Sequence, residues 1–185
     1  MKIFLVGLPG SGKSTSGRQL SSLMSLEFLD LDQQIEQLTQ MPISEVFQKY
    51  GETHFRELER DTLNKLSHER QQFVLATGGG TPCFHQNMET MNQAGITIFL
   101  DIPSREIIGR MSKKGIENRP LFRSLNPDNM VAEFDRKFSH RIPFYQQAKI
   151  EISGDTVTAE RIAHLIALHN EETSTDQDLR QDADS

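Results

Sequence analysis

Tryptophan is missing from this chain of 185 residues, and cysteine occurs once, as Cys83. A single cysteine excludes an internal disulfide framework and any zinc cluster built on several thiolates. No apolar run approaches the length of about eighteen residues that marks a membrane span. The stretch after Lys2 covers only Ile3 to Val6 before Gly7 breaks it. That is too short for a signal-peptide core, so a cytoplasmic location is expected. A cationic excess is also lacking, since 20 Lys and Arg stand against 26 Asp and Glu, a net charge of −6. Neither nucleic acid nor an anionic membrane surface is therefore an expected partner. The acidic surplus is local. Residues 171–185 hold six acids against Arg180, with no hydrophobic period, and read as an unstructured tail.

What is present fits one globular domain over residues 1–170, since 36% of the chain is hydrophobic. Short apolar runs at Lys2–Val6, Glu27–Asp30, Phe73–Ala76, Ile96–Asp101 and Lys149–Ile152 predict five buried parallel strands. Helical patterns lie between them: Lys13–Ser25, Asp32–Thr39, Ile43–Tyr50, Gly51–Glu69, Phe84–Gln93, Ser104–Lys113 and a long one over Asp128–Gln147. A last helix, Thr158–His169, repeats apolar residues at Ile162, Leu165 and Ile166. Strand and helix alternation predicts an α/β fold with a doubly wound parallel sheet. Two connections are longer than a crossover requires. One, at about 31–70, predicts an inserted helical subdomain; the other, at about 111–126, is rich in Lys, Gly, Asn, Arg and Pro and predicts a lid.

The sharpest chemical signal is Gly7-Leu8-Pro9-Gly10-Ser11-Gly12-Lys13-Ser14, placed after a strand and before a helix. This is the pattern of a phosphate-binding loop. Its glycines let backbone N–H groups turn towards phosphate oxygens, and the helix N-terminus adds partial positive charge. Gly10, Ser11, Gly12, Lys13, Ser14 and Thr15 are the candidate nucleotide contacts. Lys13 is placed to reach the β- and γ-phosphates, and the Ser14 hydroxyl to ligate Mg²⁺.

Five further motifs accompany it. Leu29-Asp30-Leu31-Asp32 ends the second strand, and continued alternation would point both aspartates towards the phosphate loop. One carboxylate then suits water on Mg²⁺ and the other a substrate hydroxyl, while Asp32 also fits a simple helix N-cap. Arg56 has Glu52 four residues before it and Glu59 three after, which reads equally as a surface ion-pair ladder. The run Gly78-Gly79-Gly80 after the third strand implies close backbone approach to a ligand. In the expected lid, Pro120 holds Arg119 extended, and a lid arginine can neutralise a phosphoryl group in transfer. Arg141 offers a carboxylate a planar fork, or caps the long helix.

Taken in order, the phosphate loop, residues 29–32, 51–59, 77–80, 119–121 and 141–145 resemble shikimate kinase over residues 1 to about 169. The resemblance implies a P-loop NTPase-like fold and an ATP-dependent phosphorylation of the 3-hydroxyl of shikimate, in aromatic amino-acid biosynthesis. It also implies site roles. Asp32 contacts substrate hydroxyls, Arg56 and Arg141 hold the carboxylate, and the glycines at 78–80, chiefly Gly79, give a backbone contact. Lys13 and Arg119 serve the phosphates, while Ser14 and, through water, Asp30 serve Mg²⁺. Arg110 packs on adenine, residues 153–156 form the other side of that pocket, and Phe47 and Phe55 line the acceptor pocket. A monomer is expected. The lid segment 113–122 has its own length and composition relative to the family. Another small-molecule or nucleoside-monophosphate kinase would share the phosphate loop and lid. A nucleotide-dependent switch is the remaining class, but no D-x-x-G occurs and Asn64-Lys65-Leu66-Ser67 lacks the final Asp of N-K-x-D.

Overall fold

The computed structural model describes residues 1–114, 129–154 and 157–183, with side chains excepted at 111–114 and 176–183. Five strands form one parallel sheet: β1 (Lys2–Val6), β2 (Glu27–Asp30), β3 (Phe73–Ala76), β4 (Ile96–Asp101) and β5 (Ile150–Ser153), in the spatial order β2-β3-β1-β4-β5. The expected doubly wound sheet is thus present. Register pairs Leu5 with Ala76 and with Ile98, so β1 lies at the centre.

Period-two alternation splits β1 between two cores. Ile3 and Leu5 join Leu20 of α1 (Lys13–Met24) and Ile162 and Ile166 of α8 (Ala159–Ala183) on one face. Phe4 and Val6 face the other core, with Phe55 and Leu63 of α3 (Ile43–Glu69), Met91 of α4 (Asn87–Ala94), Ile107 of α5 (Ser104–Lys114) and Phe134 of α6 (Met130–Phe138). Each such side chain, fully buried, contributes roughly 1.5–3 kcal/mol. The strands are apolar on both faces because helices cover both.

The excursion between β2 and β3 is helical, as expected. It holds α2 (Leu31–Thr39) and α3, and α3 breaks at Gly51, whose φ of 81° and ψ of 175° are not helical. No atom lies within 4 Å of a Cβ built there, so the backbone angle rather than space calls for glycine. The boundary between two helical patterns at Tyr50 and Gly51 is therefore real.

Two expectations change. The long helix over Asp128–Gln147 is divided: after α6 comes a 3₁₀ turn, Ser139–Arg141, and then the short α7, Ile142–Tyr145. Pro143 has no N–H to donate four residues back and its ring crowds that turn, so a continuous α-helix cannot pass through it. Arg141 consequently sits at a helix junction and does not cap a long helix. At the other end, α8 continues to Ala183, where an unstructured tail was expected from residue 171. The segment contains neither glycine nor proline to stop a helix already started by a packed turn.

Residues 171–175 are exposed, whereas the packed positions of α8 end at Ile166. Truncation after Asn170 is expected to leave the melting temperature and turnover nearly unchanged. A fall of several degrees in thermal melts would show that this extension packs on the domain. No helix among the described residues is long and apolar enough to cross a membrane. The expected lid segment beyond Lys114, including Arg119, and positions 155–156 of the expected adenine pocket lie outside the described residues.

Candidate active site

The phosphate loop connects β1 to α1 at the carboxyl edge of the sheet. Gly12, at φ 98°, turns the chain into α1 in a conformation that glycine adopts without penalty. The amide groups of the first helical turn have no intrahelical acceptor, so this end carries partial positive charge. Lys13 is buried, and its Nζ donates to the carbonyls of Gly7 and Leu8, both at 2.9 Å. The ammonium is thereby folded over the loop it serves. Ser11 Oγ is buried in the same loop without a hydrogen-bond partner among the described residues. An unsatisfied hydroxyl in a cradle of this shape fits a ligand that accepts hydrogen bonds.

Ser14 and Asp30 meet directly, with Ser14 Oγ donating to Asp30 Oδ2 at 2.8 Å. Asp30 Oδ1 accepts from the Asp32 amide at 3.2 Å, so Asp30 is the N-cap of α2. This corrects the simple cap reading of Asp32. Strand alternation also stops at Asp30, and it is the start of α2 that brings Asp32 beside the loop.

The glycine run after β3 joins the parts. A Cβ on Gly78 would stand 2.9 Å from Glu59 Oε1 and 3.3 Å from Asp32 Oδ1. One on Gly79 would stand 2.9 Å from Pro9 in the phosphate loop, and one on Gly80 2.6 Å from Arg56 Nη1. Glycine is required here by close approach. The carbonyls of Gly78 and Gly80 accept from the Thr81 and Cys83 amides, and that of Gly79 accepts from the Tyr145 hydroxyl. Tyr145, fully buried on α7, thus ties the run to the segment carrying Arg141. Phosphate loop, Asp32 and Arg56 meet at these three residues, and Arg141 is linked to them through Tyr145.

Arg56 is buried, not on a surface ladder. Its Nη1 donates to Glu59 Oε2 at 2.6 Å, and Glu59, 1% exposed, also accepts from the Thr81 hydroxyl. On its other edge it pairs with exposed Glu52. The Phe84 ring lies over the guanidinium, 4.3 Å from centroid to Cζ. Phe47 and Phe55 pack together nearby with centroids 4.5 Å apart. Arg141 packs over Phe138 at 4.8 Å, and no carboxylate pairs with it among the described residues. Arg110 stands on the exposed side of α5 and pairs with Glu106.

Burial, then the neighbouring carboxylates Asp30 and Glu59, push the Asp32 carboxyl up to about 6, against the opposing pull of Lys13. A carboxyl poised there switches charge close to neutral pH. Burial works against the charge of Arg56, but Glu59 and Glu52 outweigh it and hold the guanidinium above its ordinary value. Burial also raises the Tyr145 phenol, which stays a neutral donor.

Glu59, Thr81 and Tyr145 belong to this site although their sequence signals do not single them out. Glu59 was visible only as a helical neighbour of Arg56, and nothing in a local pattern reveals that the pair is buried. Tyr145 lies four residues after Arg141, the spacing that places two side chains on one helical face.

Comparison with known proteins bears on this arrangement. The shikimate kinase family model matches residues 9–169. The chain belongs to the shikimate kinase family. A shikimate kinase from Clostridium botulinum is 38% identical over 146 residues, covering 79% of this chain and 83% of that relative. The crystal structure of shikimate kinase from Bacteroides thetaiotaomicron superposes with a TM-score of 0.80 at 32% identity, over 90% of this chain and 98% of that one. Shikimate kinase from Acinetobacter baumannii, solved in complex with shikimate, superposes with a TM-score of 0.76 at 35% identity, over 93% of each chain. The five-stranded parallel sheet of this chain is thus that of shikimate kinase structures.

Proposed function

We propose that this protein, a cytoplasmic monomer, transfers the γ-phosphoryl group of ATP to the 3-hydroxyl of shikimate, giving shikimate 3-phosphate and ADP. The observation that carries this reading is the glycine run, which packs against the phosphate loop at Pro9, against Asp32 at Gly78 and against Arg56 at Gly80. A donor phosphate and a carboxylated acceptor would thereby meet across one short stretch of backbone. The relative solved with shikimate supports the choice of acceptor.

In this reading Arg56 and Arg141 hold the acceptor carboxylate, the Gly79 amide adds a backbone contact, and Phe47 and Phe55 line the pocket. Asp32 orients the hydroxyl. As the hydroxyl oxygen bonds to the γ-phosphorus, the bond to the bridging oxygen of ADP breaks and the hydroxyl proton passes to Asp32. Lys13 and Arg119 neutralise charge on the phosphates, and Arg110 with residues 153–156 receives the adenine. The hydroxyl of Ser14 and the carboxylate of Asp30, in contact at 2.8 Å, are hard oxygen donors that fit Mg²⁺. An ion held by these two side chains would supply positive charge beside the phosphates. Most of the catalysis is positioning and electrostatics, which suits a site built from rigid hydrogen-bonded parts.

The test is a coupled assay with ATP, Mg²⁺ and a panel of hydroxylated acceptors that includes shikimate and its carboxamide. Shikimate is expected to be the preferred acceptor. Arg56→Ala or Arg141→Ala should each raise its KM by about ten- to a hundredfold, the loss of charge-assisted hydrogen bonds. ATP affinity in the binary complex should stay near normal. If both variants bind shikimate like the parent protein, the acceptor site is elsewhere.

A further inference from the structure

The two arginines of the acceptor site differ in how they are held. Arg141 pairs with no carboxylate among the described residues, while Arg56 is engaged by two. Those two are not equivalent. Glu59 is buried, fixed by Thr81 as well as by Arg56, and stays in place. The Glu52 side chain is 60% exposed, and its carboxylate accepts from Arg56 Nε at 3.2 Å and Nη2 at 2.8 Å. Arg56 is its only partner among the described residues, and Glu52 directly follows the break at Gly51. Such a pair is worth little in water, so the carboxylate can leave at small cost.

The position of that pair matters more than its strength. Phe84 lies over one face of the guanidinium, and the donors all point outward within its plane, so an anion hydrogen-bonds along an N–H edge. Carboxylates bind arginine best through two parallel N–H groups of one edge. Glu52 occupies such an edge with one oxygen, its Oε1 accepting from both Nε and Nη2. With both glutamates in place the Arg56 cluster carries more negative than positive charge, which opposes an incoming anion.

We propose that Glu52 is a built-in competitor for the acceptor carboxylate. It holds the Nε and Nη2 edge of Arg56 in the free enzyme and is displaced when acceptor binds. It thereby sets acceptor affinity and selects ligands whose carboxylate also reaches the open Arg141. An anion that engages only Arg56 gains little, since it replaces one carboxylate by another. This inference rests on the proposed acceptor site.

The test compares KM and turnover for shikimate and for its carboxamide in Glu52→Gln, Glu52→Ser and Arg56→Ala, with each glutamate change also made in the Arg56→Ala background. Serine keeps a residue favoured at a helix start should glutamine disturb folding. Both Glu52 variants are expected to lower the KM for shikimate by about two- to fivefold, the range set by a partly exposed ion pair. Turnover and the KM for the carboxamide should change little, and the gain should vanish without Arg56. An unchanged or raised KM for shikimate in folded Glu52 variants overturns the proposal, because Glu52 would then be inert or would position Arg56. If Arg56→Ala alone leaves the KM unchanged, it is the acceptor-site reading that fails.

Discussion

Asp32→Asn is expected to lower turnover by about a hundredfold or more while making the protein more stable above pH 6. Both effects have one cause. Burial and the neighbours Asp30 and Glu59 raise the folded-state value from 3.8 to about 6, so the fold disfavours the charged form. Below pH 3.8 the carboxyl is protonated whether the chain is folded or not, and it exerts no pH-dependent effect. As pH rises from there to about 6 the unfolded chain ionises first, and stability is lost. Above that range the full penalty is present, on the order of 2–3 kcal/mol. Asparagine removes it. Melts at pH 8 should therefore place the variant several degrees above the parent, with the difference shrinking below pH 6 and nearly gone at pH 4. The same group should give the parent an acid limb in kcat/KM near pH 6 that reports the free enzyme. Melting curves that coincide at every pH would remove the strained carboxylate from the account, and near-normal turnover would remove its role.

That Asp32 lies beside the phosphate loop was legible; why its carboxyl is pushed up was not. Motif and spacing place it after a strand and near a phosphate loop, but its neighbour Glu59 comes from the middle of α3, 27 residues on. The same division runs through the fold. All five strands were legible because a sheet covered on both faces writes its strands as short apolar runs. The break in α3 was legible because a glycine interrupts two helical patterns. The break before Arg141 was not, because Phe134 and Phe138 keep helical spacing up to it and only Pro143, beyond the turn, opposes continuation. Ion pairs are the least legible of all. Arg56 with Glu52 and Arg56 with Glu59 have the same sequence grammar, yet one partner is 60% exposed and the other 1%. Which glutamate faces the core depends on where β3 and its glycine run lie, and no local pattern carries that.

Lys13→Met separates the two halves of the site. Methionine keeps a flexible apolar stem and removes only the ammonium, which in the free protein bonds to the Gly7 and Leu8 carbonyls. Those two hydrogen bonds together stabilise by about 1–3 kcal/mol, offset by no longer burying a cation, so the variant should fold and melt within several degrees of the parent. Its turnover should fall by about a hundredfold or more, because one preorganised donor aimed at developing phosphoryl charge typically contributes that much. ATP binding should weaken as well, since the lysine meets the phosphates before and during transfer. Lys13→Arg keeps the charge but replaces a point donor by a broad planar fork in a buried loop, so it should recover only part of the rate. Shikimate binding in the absence of nucleotide should not move in either variant. In the proposed acceptor site the carboxylate is held by Arg56, which packs against the glycine run at Gly80, whereas the phosphate loop packs against it through Pro9 at Gly79. Equilibrium titration of each ligand, with single-turnover rates on the same preparations, measures all of this. A folded Lys13→Met with near-normal turnover would end the assignment of the phosphate loop as the donor site, and a loss of shikimate binding equal to the loss of ATP binding would show that the two half-sites are not independent.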